Sequence, residues 1–285
     1  LGAGGMGVVY AVEDEHLGRQ VALKLIRDDA SRGDARERER LLREARALAR
    51  LSHPNVVQIH EVGEHEGDIF IVMELVRGAT LRRWLDLEKR PLPDLLACFI
   101  EAAQGLEAAH RVGIVHRDFK PTNVLVGHDG RVRIVDFGLS RSDAPDRGLA
   151  PLDPTTAPGP TDHNAGTPAY MSPEQSIGAP CDARSDQFSF CVALFEALYD
   201  RRPFTPDELT RRARDSSTTP SPVPDGGSVP RWLRKLLARG LAIQPAHRFA
   251  SMSALLDVLR HSTRANQRRL TAATAAILVA ATATL

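Results

Sequence analysis

The hydrophobic period of this chain changes once, near Leu81, and that change restricts the fold more than any single motif. Before it, apolar residues come in short β-rich runs: VVYAVEDE after Gly7 and QVALKLIRD after Arg19, separated by His16, Leu17 and Gly18. Asn55 to Glu61 and Asp68 to Glu74 read as another strand pair, with Gly63 to Gly67 as their turn. One helix interrupts the strands. From about Arg36 to Leu51, Leu41, Leu42, Ala45, Leu48 and Ala49 recur at helical spacing among arginines and glutamates. After Leu81 the segments lengthen, with helices expected at Asp94 to Arg111, Ser185 to Tyr199, Pro230 to Ala242 and Ser251 to His261. Ser142 to Asn164 and Thr205 to Ser228, dense in Pro, Ser, Thr, Gly and Asp, read as loops. The expectation is an α+β protein of two lobes, a small β-rich one carrying one helix and a larger α-rich one.

At 285 residues the chain is long enough to bury a core in each lobe, and 42% hydrophobic with 26% charged residues is the composition of a folded domain. Charge argues against nucleic acid as a partner: 37 basic and 36 acidic residues leave a net charge of +1. Cys98, Cys181 and Cys191 lack C-x-x-C spacing, which suits a reducing compartment and neither a disulfide framework nor a zinc site. No signal peptide is visible.

Chemistry enters at the first residues. In Leu1-Gly2-Ala3-Gly4-Gly5-Met6-Gly7-Val8-Val9, glycines are spaced so that backbone amides can approach a triphosphate that side chains would hold off. A dinucleotide-binding turn shares this string but opens a helix, whereas Val8, Val9 and Tyr10 favour a continuing strand. In Val21-Ala22-Leu23-Lys24 a lysine sits in an apolar strand, either as a snorkelling surface residue or as a cation aimed at phosphates. Its expected partner is Glu44, which lies beside the apolar face of Leu41, Ala45 and Leu48; Glu37 and Glu39 are rivals in a charge run that looks solvated.

The most specific strings are His116-Arg117-Asp118-Phe119-Lys120-Pro121-Thr122-Asn123 and Asp136-Phe137-Gly138. Together with the glycine run, Lys24 and Ser172-Pro173-Glu174, they resemble the serine/threonine protein kinases in order and spacing, from Leu1 to about His261. The resemblance implies the bilobal kinase fold, with a kinase domain over 1–262, an N-lobe over about 1–75 and a C-lobe over about 77–262. It implies Asp118, Lys120 and Asn123 as catalytic residues, Asn123 and Asp136 as ligands of Mg²⁺ with Mn²⁺ as a substitute, and ATP as phosphoryl donor. For the nucleotide it implies Leu1 to Val9, Ala22, Lys24, Glu44, Met73 as gatekeeper, Glu74 and Val76 in the hinge, and Leu125 beneath the ring. Leu48, Ile59, His116 and Phe137 would stack into a spine anchored by Asp186, and Glu174 would pair with Arg248. Lys120 fits the serine/threonine version of the loop and differs from the tyrosine-kinase version. Phe119 stands where Leu or Val is commoner and Ser172 where Ala is commoner, and both keep the needed character.

Gly166 to Gln175 closely resembles the bacterial transmembrane serine/threonine kinases. The expected partners are proteins with Ser or Thr acceptors, and a second copy of the chain for trans-autophosphorylation at Thr161, Thr155 or Thr156. Thr167 would belong to the substrate platform. A Pro/Thr-rich surface loop without regulation is the competing reading of that segment. The chain opens in the glycine run, and the residues that normally lead into the first strand are expected to be missing. Beyond a basic segment at 263–269, residues 270–285 are apolar or small and would cover about 24 Å of a bilayer core about 30 Å thick. They read as the start of a transmembrane helix with the kinase domain on the cytoplasmic side of an inner membrane; a soluble Ala/Thr-rich helix is the alternative. Two other functions stay open here: a pseudokinase scaffold, against which all the catalytic positions are present, and a small-molecule phosphotransferase, against which the Thr167 to Gln175 segment speaks.

Overall fold

A computed structural model gives the fold, and it describes residues 2–4, 7–26, 35–66, 68–137, 168–215, 222–261 and 263. The first lobe contains β1 (Gly2–Gly4), β2 (Gly7–Asp14), β3 (Arg19–Ile26), α1 (Ala35–Ala49), β4 (Ile59–His65) and β5 (Asp68–Glu74). They make an antiparallel sheet of order β1-β2-β3-β5-β4. Period 2 decides which side chains face inward: on β5, Ile69, Ile71 and Met73 are buried while the residues between them are half-exposed. α1 turns Leu41, Leu42, Ala45 and Leu48 into the same core.

The strand reading of the glycine run holds, since Gly4 pairs with Gly7 and β2 continues without a break to Asp14. Gly7 has φ +136, and a Cβ there would meet Leu25 O at 1.9 Å, so only glycine fits. The strand pair expected from Asn55 is shifted. β4 starts at Ile59 because the preceding backbone bonds to the other lobe instead: Val57 N–H donates to Ile134 O (3.0 Å) and Asn55 O accepts from Ile134 N–H (2.9 Å). Gly63 is a strand residue and not part of the turn; a Cβ on it would lie 2.4 Å from the Phe70 ring, so the glycine makes room for that side chain.

The second lobe follows Glu74. β6 (Gly78–Thr80), α2 (Leu81–Leu87), α3 (Leu92–Arg111), β7 (Val124–Gly127) and β8 (Val132–Ile134) come first, with β6-β7-β8 forming a small antiparallel sheet. Then come α4 (Pro173–Ser176), α5 (Ala183–Tyr199), α6 (Pro206–Asp215), α7 (Arg231–Gly240) and α8 (252–261). α5 is buried on every face from Ser185 to Phe195 and forms the axis of this lobe.

α6 falls inside the stretch expected to be a loop. Its composition is polar, but its ends carry helix signals: Thr205 Oγ1 accepts the Glu208 N–H (3.2 Å), Pro206 opens the helix, Asp207 and Glu208 sit in the first turn, and Arg212 and Arg214 in the last. Leu209 is its one buried anchor.

The expected ion pair of Glu174 with Arg248 is present and bidentate, with both N–O distances 2.7 Å. Arg248 also donates to the carbonyls of Ala242, Arg184 and Ile243 (2.9, 2.8 and 3.0 Å), which satisfies all five of its N–H groups at 2% exposure. Ser185 Oγ donates to Glu174 as well (2.7 Å).

Candidate active site

The segment between α3 and β7 would be an unsupported loop but for Asp186 at the start of α5. This carboxylate is fully buried and accepts the backbone N–H of His116 (2.7 Å), the backbone N–H of Arg117 (2.8 Å) and Nε2–H of His110 (2.7 Å). Burial pushes the Asp186 carboxyl up, but the His110 bond and its other partners outweigh it and hold the group below its usual range, so it is charged. His116 is fully buried too, and burial lowers its pKa, so its ring is neutral. Its Nε2–H donates to Val135 O (3.1 Å), which leaves Nδ1 to accept the Asp118 N–H (3.3 Å). One neutral imidazole thus spans the two loops that carry the acidic residues.

Both loops use strained backbone. Arg117 has φ 62 and Asp136 φ 57, a left-handed conformation that costs a non-glycine residue about 1–3 kcal/mol and persists only where surrounding bonds impose it. Beyond Arg117, Asp118 Oδ2 accepts from Lys120 Nζ (2.8 Å) and from Asn123 Nδ2 (3.1 Å), and Asn123 Nδ2 also reaches Asp118 O (2.9 Å). Both Asn123 amide protons are therefore committed, and its Oδ1 has no partner among the described residues. That oxygen and the Asp136 carboxylate are hard donors of the kind a small divalent cation prefers. Phe137 packs on His116 at 4.7 Å between centroids, and Leu48 and Ile59 are buried in the same core, where they and Phe137 line one small cavity. Phe119 is fully buried between His116 and Phe190.

Lys24 is 5% exposed and needs a counter-charge, which it finds in Asp136 Oδ1 at 2.7 Å. This corrects the expected pairing: no ion pair joins Lys24 to Glu44 among the described residues. Glu44 does lie where expected on α1, half-buried beside Leu41, Ala45 and Leu48. The rival Glu39 is solvated, its side chain 73% exposed and paired with Arg43. Val9 and Val76 are packed against the core, Ala22 and Met73 are buried in it, and Leu125 lies on β7. Leu1, Gly5, Met6, Thr155, Thr156, Thr161 and Thr167 lie outside the described residues, as does 264–285.

Four functional contacts escaped the sequence. His110 is one polar residue at the end of an apolar helix, with no local sign of its carboxylate partner. Arg133 Nε meets Glu74 at the end of β5 (3.0 Å) while its Nη2 holds Asp129 (2.8 Å), fastening the end of β5 to β8. Asn55 donates to Glu101 (3.0 Å) and to Val132 O (2.8 Å) between the lobes. Gln175 donates from Nε2 to Arg117 O (2.7 Å), and Ser172-x-x-Gln175 is the pattern of a capping box, so here a signal existed. A cavity of about 430 Å³ lies elsewhere, between α2, α3 and α5, and none of the catalytic-loop residues line it.

Comparison with known proteins adds a family and relatives. The protein kinase domain family matches residues 1–261. Serine/threonine-protein kinase PknL of Mycobacterium tuberculosis is 39% identical over 261 residues, 90% of this chain and 62% of that protein. PknD of the same species is 38% identical over 256 residues, 88% of this chain and 37% of its own length. PrkC of Bacillus subtilis is 33% identical over 277 residues, 95% and 41%. The chain thus spans less than two thirds of the length of these relatives. The crystal structure of the Mycobacterium tuberculosis PknI kinase domain superimposes with a TM-score of 0.69 at 27% identity, covering 92% of this chain and 93% of that one.

Proposed function

The chain belongs to the protein kinase family, and from that premise we propose that it transfers the γ-phosphoryl group of ATP to serine and threonine hydroxyls of proteins. The observation that carries the reading is the shared Asp118 carboxylate, held at once by Lys120 Nζ and by Asn123 Nδ2. Asp118 then accepts the proton of an attacking hydroxyl, and Lys120, already at its side, neutralises charge on the transferring group. Asn123 Oδ1 and the Asp136 carboxylate are the ligands offered to the metal. Mg²⁺, with Mn²⁺ as a substitute, would supply charge neutralisation across the phosphoryl oxygens when bound. Lys24, held by Asp136, is assigned to the α- and β-phosphates, and Leu1 to Val9, Ala22, Met73, Glu74, Val76 and Leu125 to the nucleotide.

Lys24→Met tests the assignment. It removes the buried ammonium but keeps an unbranched apolar side chain one atom shorter, and should cost about 2–4 kcal/mol of transition-state stabilisation with little change in melting temperature. Turnover close to wild type would sink the nucleotide assignment.

Regulation is assigned to the segment that contains Thr155, Thr156 and Thr161, with a second copy of the chain as the phosphorylating partner and Thr167 on the substrate platform. What supports this is Arg117, whose backbone is clamped immediately before the catalytic aspartate and whose guanidinium could meet a phosphate's charge. Mass spectrometry after ATP treatment should find phosphate on one of the three threonines, and their joint replacement by alanine should lower the rate. An unmodified segment, or an unchanged rate, would remove the switch.

We also assign residues 270–285 to the start of a membrane-spanning helix of a longer single-pass parent with its kinase domain in the cytoplasm. No described helix is long and apolar enough to cross a membrane. Recovery of the parent in the soluble fraction after cell breakage would refute the anchor.

A further inference from the structure

We infer that Gln175 is a positioning residue of the catalytic loop, acting through the carbonyl of Arg117; the inference rests on the kinase reading of Asp118. Three hydrogen bonds fix how its amide is turned. Oε1 accepts from the Ser172 N–H and from Ser172 Oγ, both at 3.0 Å, so the other end, Nε2, is the donor, and it meets Arg117 O at 2.7 Å. A flipped amide would lose the bond from the backbone donor and set two oxygens against each other.

What this bond holds is the peptide that enters Asp118. Arg117 is in the left-handed region, so its backbone must be restrained from both sides. Asp186 Oδ1 restrains its N–H at 2.8 Å and Gln175 restrains its C=O. With that peptide plane fixed, the Asp118 N–H faces His116 Nδ1 and the Asp118 carboxylate faces Lys120 and Asn123. Releasing the carbonyl would let the plane rotate, and a carboxylate displaced by a fraction of an ångström loses its line to an attacking hydroxyl.

Gln175 is also tied to the lobe's anchor by its neighbour Glu174, which Arg248 grips. The same short helix therefore connects the buried ion pair to the catalytic aspartate. Asp186 supplies the restraint on the N–H of Arg117 and Gln175, from α4, the restraint on its C=O.

Two variants separate the donor from the acceptor. Gln175→Glu keeps an oxygen for Ser172 but cannot donate to Arg117 O, and should lower kcat about tenfold while KM for ATP changes less than about twofold. Gln175→Lys keeps a donor of similar reach but loses the oxygen, and should retain kcat within about threefold of wild type. Hydrogen exchange adds a readout independent of turnover: amides of 116–118 should exchange faster in Gln175→Glu and not in Gln175→Lys. Equal kcat in Gln175→Glu and wild type, or equal loss in both variants, overturns the role. Asp118→Asn is run alongside. If wild type shows no Asp118-dependent transfer, the kinase reading itself fails and takes this inference with it.

Discussion

Replacing Asp118 with asparagine is expected to lower kcat by about 10²- to 10⁴-fold while leaving the fold intact. Asparagine has the same shape and can still accept a hydrogen bond from Lys120, but its amide cannot take a proton from a hydroxyl. Stability should change little because Asp118 contributes no apolar packing, and its contacts to Lys120 and Asn123 lie on a partly solvated surface. A steady-state assay with a protein acceptor, paired with thermal unfolding, checks both halves. Activity within threefold of wild type would remove Asp118 from the mechanism.

Arg248→Met should destabilise the protein by about 3–5 kcal/mol, because it leaves the Glu174 carboxylate buried without its cation. Burial alone raises the Glu174 pKa, but the two Arg248 hydrogen bonds and their charge hold it below the usual carboxylate range. The sign follows from linkage: a depressed carboxylate contributes stability that is present above the unfolded pKa and is lost as pH falls through the folded one. In Arg248→Met the folded pKa rises, so this acid-sensitive contribution below about pH 4.5 should vanish. Urea unfolding at pH 7 and pH 4 measures it, and Glu174→Met/Arg248→Met should be less damaged than the two single losses added together. A single-variant loss under about 1 kcal/mol would mean the pair is not the anchor described here.

Much of this fold was legible because its local signals agreed with its global ones. β5 and α1 were readable from period alone, since Ile69, Ile71 and Met73 alternate and Leu41, Ala45 and Leu48 recur every three or four residues. The helix at Pro206–Asp215 was hidden by composition: a stretch with one buried leucine has almost no hydrophobic stripe, and its signals lie in caps and charge order. The start of β4 was misplaced for another reason. Asn55 and Val57 look like strand residues, and their hydrogen bonds go to Ile134, nearly eighty positions away.

The site divides along the same line. Asp118, Lys120, Asn123 and Asp136 sit in short strings, so a resemblance to the kinase motifs could pick them out. His110, Arg133 and Gln175 act through partners 76, 59 and 58 positions away; the capping-box pattern marks Gln175 itself, but nothing local announces its partner Arg117 or the other two pairs. Lys24 shows the limit of both kinds of reading: the sequence left it between a surface residue and an inward cation with a carboxylate partner, and tertiary geometry buries it and chooses Asp136 over Glu44.

The most direct test of the kinase reading is phosphoamino-acid analysis. The protein is incubated with Mg²⁺ and γ-labelled ATP, with a casein-like protein and, separately, with an aminoglycoside. Label on phosphoserine and phosphothreonine of the protein acceptor, dependent on Asp118 and absent from the aminoglycoside, is the expected result. Label on the small molecule alone, label on phosphotyrosine alone, or transfer unaffected by Asp118→Asn would contradict it.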